Sequence, residues 1–161
     1  METIAELIRR HARPGRVEWI GLRPARREEV LSVEQAAVED AGLVGDRGRQ
    51  GPRAITLIQW EHLPVIGALL GAPPVDPALL RRNIAVSGIN LLGLKGRELR
   101  VGGALLRVTG PCAPCSRMEE ALGEGGYAAV RGHGGVTAEV LSGGALRLGD
   151  EVTPAEAADE R

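Results

Sequence analysis

Phenylalanine is absent, and two tryptophans and one tyrosine are the only aromatics in 161 residues. The core must therefore be built from Leu, Val, Ile and Ala. Long apolar runs are also missing. No stretch approaches the roughly 20 residues of a membrane span, and Met1 to Ala12 carries Glu2 and Glu6 in an amphipathic pattern unlike a signal peptide. No membrane partner is expected, and the cytoplasm is the expected compartment. Lysine is nearly missing: Lys95 is the sole one among twenty basic residues, so a Schiff-base enzyme would have to use it. The net charge is -1, which argues against a nucleic-acid partner, because such proteins need a basic surface to release counterions. Cysteine occurs twice, at Cys112 and Cys115. In a reducing compartment two such residues are thiols rather than a staple.

The length fits one domain spanning 1–161, with a core at about 16–153 and a frayed polar tail over 154–161. Such a chain buries about two-thirds of its unfolded surface without help from a disulfide or metal. A short helix is expected over Met1 to Ala12, then strands at Arg16 to Leu22 and Glu28 to Leu31. Ser32-Val33-Glu34-Gln35 has the form of a capping box, which predicts a helix from Val33 to Ala41. Gly45 to Pro52 reads as a loop, Arg53 to Gln59 as a strand, and Trp60 to Leu70 as a helix. Asp76-Pro77 predicts a helical turn through Arg82, and Asn83 to Val86 a strand. Gly102-Gly103 between Glu98–Val101 and Ala104–Thr109 signals a hairpin, as does Ser142-Gly143-Gly144 between Thr137–Leu141 and Ala145–Val152. Cys115 to Leu122 reads as helical. Many short strands with glycine turns predict a mainly β (α+β) fold: a closed or partly open barrel with a few short helices.

Three stretches carry chemistry. In Gly110-Pro111-Cys112-Ala113-Pro114-Cys115-Ser116-Arg117 a strand ends and a helix begins. Cys115 would meet the helix dipole and the Arg117 cation, both of which favour a thiolate; Cys112 falls in the turn and ranks below it. The Cys-x-x-Cys also suits thiol–disulfide exchange. A zinc site would need two of His11, His62 and His133, far apart in sequence. The loop at 45–53 joins three glycines to Arg47, Arg49 and Arg53, a pattern suited to phosphate or carboxylate. It lacks the Gly-Lys-Ser/Thr of a P-loop. Arg81-Arg82-Asn83 adds two cations and an amide that can reach a ligand or close a turn. His133, in Gly132-His133-Gly134-Gly135, is a candidate base or ligand-binding group.

Several of these pieces occur in one order: Gly45-Asp46-Arg47, the strand Arg53 to Ile58, Glu61-His62-Leu63, Leu80-Arg81-Arg82-Asn83-Ile84, Pro114-Cys115 and Gly149-Asp150-Glu151-Val152. Together they resemble the MOSC domain, named for the C-terminal domain of molybdenum cofactor sulfurase, in its stand-alone form. The resemblance implies a β-barrel and a link to the molybdenum cofactor (molybdopterin). It implies a cysteine that carries sulfur or ligates molybdenum, matched by Cys115. Some members reduce N-hydroxylated compounds. The implied cofactor contacts are Arg47, Arg81 and Arg82, with Asn83 beside them; Arg53 and His133 join them as candidate cofactor contacts from the residue reading, and the expected partners are a cysteine desulfurase or redox protein and a small-molecule substrate. Two competing readings are a thiol–disulfide oxidoreductase using Cys112 and Cys115, and a non-catalytic sulfur-delivery module. The chain carries Gly48 where many members have His, and no cysteine follows Cys115. Lys95 lies in no recognisable pyridoxal phosphate motif, so that cofactor is not expected.

Overall fold

A computed structural model of the chain describes residues 1–155. A short helix, α1 (Ile4–Ile8), is closed by a Thr3–Glu6 capping box. The strands that follow are β1 (Gly15–Leu22), β2 (Leu31–Val33), β3 (Gln35–Glu39), β4 (Gly42–Leu43) and β5 (Ile55–Gln59). After α2 (His62–Leu69) come β6 (Ile84–Ser87), a 3-10 turn at Leu91–Leu94, β7 (Glu98–Val101) and β8 (Ala104–Pro111). Two short helices, α3 (Arg117–Leu122) and α4 (Gly126–Val130), precede β9 (Val136–Ser142), β10 (Gly144–Arg147) and β11 (Glu151–Pro154).

Seven strands close a barrel in the order β1-β11-β7-β8-β9-β5-β6 and back to β1. Every pair is antiparallel except β5 and β6, where Leu57 lies beside Ile84 and Gln59 beside Val86. Closure removes the exposed edges that an open sheet of this size would present. The barrel is filled by aliphatic side chains at alternate positions, among them Ile55, Leu57, Ile84, Val86, Leu106 and Val108. The intervening residues Ile58 and Ala85 point outward into a second apolar cluster. There they meet Leu63 and Ile66 of α2, Leu80, Met118 of α3, and Ala129 and Val130 of α4. That outer layer explains why β5 is buried on both faces.

Three expectations are corrected. The helix predicted over Val33 to Ala41 is instead β3 and part of a small sheet, β10-β3-β4. Its capping signal was local, but the Ser32 hydroxyl accepts the Trp19 indole N–H at 2.9 Å, and Ala36 to Val38 pair with Gly144 to Leu146. The second predicted hairpin does not form. β9 stays on β8 while β10 crosses to β3, and Gly143 and Gly144 let backbones cross closely: a Cβ there would lie 2.3 Å from Val38 O and 2.1 Å from Gly103 O. The tail begins later than expected, because Pro154 belongs to β11 and the Ala155 N–H donates to Glu98 O at 3.0 Å. The rest of the predicted tail lies outside the described residues. Among the described residues no helix is long and apolar enough to cross a membrane.

Candidate thiol and anion site

Because β5 and β6 run parallel, their first residues emerge at the same end of the barrel. The loop at 45–53 enters β5 there, and Arg81-Arg82-Asn83 enters β6. Asp46 locks the two together. Its side chain is fully buried and paired with Arg23. One oxygen accepts the Arg23 backbone N–H (2.7 Å), Arg23 Nε (3.0 Å) and Asn83 Nδ2 (3.0 Å). The other accepts Arg23 Nη2 (2.9 Å) and the Gly48 N–H (2.8 Å). Burial alone would raise the pKa of this carboxyl, but the Arg23 hydrogen bonds and charge, helped by the Gly48 N–H, hold it below the ordinary aspartate value.

Asn83 closes the same network. Its Oδ1 accepts the Thr56 N–H at 3.0 Å, and Nδ2 also donates to Gly21 O at 3.1 Å. Fully buried, with its amide shared among Thr56, Gly21 and Asp46, it joins strand ends and offers no free donor to a ligand.

The arginines behave differently from one another. Arg47 and Arg53 are exposed, and with Arg23, Arg49 and the residues from Gly48 to Pro52 they line an open cavity of about 430 Å³. Thr109 of β8 donates to Pro52 O at 2.6 Å, so the loop is anchored three residues before Cys112. Arg81 takes a left-handed backbone (φ 57°) and donates to Ala25 O at 3.1 Å and to Glu28 O. Burial lowers its pKa, as do the like charges of Arg23, Arg47 and Arg117, which places all four in one positive field.

Arg82 is 5% exposed. Its Nε donates to Gly134 O at 2.8 Å and Nη1 to Leu80 O at 2.7 Å, while Nη2 is buried without a hydrogen-bond partner. Burial lowers its pKa; the nearby thiols oppose that, Cys112 more than Cys115. Cys112 is buried and its N–H donates to Gly135 O at 2.8 Å, whereas Cys115 is exposed. The helix expected from Cys115 begins at Arg117 and has six residues. Arginines, rather than a helix dipole, therefore supply the positive surroundings of the thiols.

His133 packs edge-to-face against His62 of α2, with ring centroids 5.0 Å apart and both Nδ1 atoms buried without partners. Burial lowers the His62 pKa, as does His133, against the opposing pull of Glu61. Among the described residues no three His, Cys, Asp or Glu side chains converge as a metal-ligand set. Sequence reasoning missed Arg23, whose faint signal is a charged residue directly after the alternating strand Arg16 to Leu22.

The chain is thus a closed, mainly antiparallel barrel with one exposed thiol and an arginine-lined loop cavity. The MOSC domain model matches residues 45–153, about two-thirds of the chain, and the chain belongs to that family. The fold is similar to YuaD from Bacillus subtilis, at TM-score 0.75 and 21% identity over 87% of this chain and 94% of that one. It is also similar to YiiM from Geobacillus stearothermophilus (TM-score 0.74, 20% identity, 89% of this chain and 76% of that one). YiiM from Escherichia coli aligns at TM-score 0.68 and 20% identity, over 88% and 70%. No curated protein matches the sequence.

Proposed function

We propose that this protein binds the molybdenum cofactor at the arginine rim and carries sulfur on Cys115. The carrying observation is an exposed thiol, Cys115, in a chain that also presents an open cavity lined by Arg23, Arg47 and Arg53. The residues present fit the group. A phosphate asks for forked cations, which Arg47 and Arg53 offer at the mouth of the loop cavity. A soft metal or sulfane sulfur asks for a thiolate. When bound, the cofactor supplies a redox-active molybdenum held by a dithiolene. The chain's own residues do the rest. Arg23, fixed by Asp46, and Arg47 and Arg53 hold negative charge at the rim. The exposure of Cys115 lets a donor such as a cysteine desulfurase reach the thiol.

Reduction of N-hydroxylated compounds is the second reading, favoured by the open arginine-lined cavity of about 430 Å³, which admits a small molecule. Purification from a host that makes the cofactor, followed by metal and pterin analysis, tests the cofactor reading. Wild type should carry molybdenum and pterin in equal amounts, and Cys115→Ser should lose the persulfide sulfur that wild type gains. Folded wild type without either would overturn cofactor binding. Replacing Arg47 and Arg53 together with Ala should weaken binding of inorganic phosphate about tenfold or more in a calorimetric titration. An unchanged affinity would remove both residues from the anion site.

A further inference from the structure

Cys112 has no part in the scheme above, yet its surroundings are the least ordinary in the protein. Arg82 is 95% buried by exposed area and two of its three nitrogens are spent on Gly134 O and Leu80 O. The third, Nη2, is buried without a partner. An orphaned charged donor in a fold costs more than the bond it lacks, and a neighbouring group that can become anionic is well matched to it. Nη2 and the Cys112 backbone lie against the same glycine: a Cβ on Gly134 would sit 3.1 Å from Arg82 Nη2 and 2.4 Å from Cys112 O. The thiol that most favours the charged guanidinium is Cys112, ahead of Cys115. Asp46, the buried carboxylate of this end of the barrel, is already paired with Arg23.

We infer that Cys112 is a resolving thiol: it attacks a persulfide on Cys115 and releases the carried sulfur as hydrosulfide, with Arg82 holding the attacking thiolate. The inference rests on the sulfur-carrier reading of Cys115. In the loading step a persulfide donor passes its outer SH to the Cys115 thiolate and departs as a thiolate. The Cys112 thiolate then attacks Cys115 Sγ. The Cys112–Cys115 bond forms, the bond from Cys115 Sγ to the outer sulfur breaks, and HS⁻ leaves with the electron pair. The outer sulfur is reduced, Cys112 Sγ is oxidised, Cys115 Sγ keeps its oxidation level as it exchanges one sulfur partner for another, and a dithiol reductant resets the disulfide. The unequal exposure of the two thiols suits this order. The exposed Cys115 meets the donor, while the buried Cys112 is shielded from it and reacts only within the chain, where proximity multiplies the rate. Arg82 is the positioning residue, because its N–H stabilises the nucleophile and takes no part in the bonds exchanged.

The test loads reduced protein with sodium polysulfide without air, removes the excess, and follows hydrosulfide and intact mass with no added reductant. Wild type should release one hydrosulfide per chain and end two hydrogens lighter than the reduced chain. Cys112→Ser should load equally but hold the persulfide, with release slowed at least about tenfold; Cys112→Ala should behave the same, which guards against a misfolded serine variant. Arg82→Met should slow release and Arg82→Lys should restore it. Equal release from wild type and both Cys112 variants would overturn the resolving role and leave the carrier reading standing. A wild-type chain that never gains sulfur on Cys115 would overturn both.

Discussion

Asp46→Ala should destabilise the protein by about 3–5 kcal/mol, because it strands a mostly buried guanidinium. Arg23 is 15% exposed at its side chain and Asp46 is not exposed at all. Removing the carboxylate also takes the acceptor from the Gly48 N–H and one partner from Asn83. Urea unfolding followed by circular dichroism measures the loss; a change below about 1 kcal/mol, as for a surface pair, would contradict it. The same carboxyl sets an acid limit. Its folded pKa lies below the unfolded value of about 3.9, so its contribution is complete above that value and disappears as pH falls through the folded pKa. The gap between wild type and Asp46→Ala should narrow on acidification below pH of about 4. The arginine rim would suffer with the fold, since Arg23 and Gly48, both held by Asp46, line the cavity.

Gly135→Ala should be as damaging, by about 3 kcal/mol or more. Gly135 has φ 87°, a left-handed backbone, and an added Cβ would stand 2.0 Å from Leu57 O and 2.9 Å from Ile58 Cα. Those atoms belong to a central barrel strand and cannot yield as a side chain would. The carbonyl of Gly135 also accepts the Cys112 N–H, so the distortion reaches the thiol loop. Thermal unfolding should show a melting temperature lowered by several degrees at least, on the order expected for a domain of this size. A variant that melts with wild type would mean the crossing of this loop over β5 is wrongly placed.

Much of the barrel was legible because its signals are local. Gly102-Gly103 between two alternating runs needs no distant information, and β7 and β8 pair as expected, from Glu98 opposite Arg107 to Val101 opposite Ala104. The aliphatic run at β5 announced a buried strand, and the order of motifs announced the family. The failures are non-local. Residues 35–39 became a strand because a partner more than a hundred residues later lies beside them, and that pairing overrode a capping pattern. Asn83 read as a ligand contact or turn residue, since nothing in its neighbours says that Thr56, Gly21 and Asp46 would share its amide. Arg23 was invisible for the same reason: its meaning comes from Asp46, across 23 residues. Cys112 shows the reverse. Its lower rank beside Cys115 followed from the turn it occupies, whereas its burial near Arg82 follows from the fold.

The aromatic-free barrel leaves the protein with an uneven set of optical reporters. Trp19 packs against the outer apolar cluster that contains Met118, three residues beyond Cys115, while Trp60 and Tyr127 are exposed. None stands inside the barrel. Intrinsic fluorescence is thus a gauge of the outer layer rather than of the barrel interior, and Trp19 is its half-buried reporter.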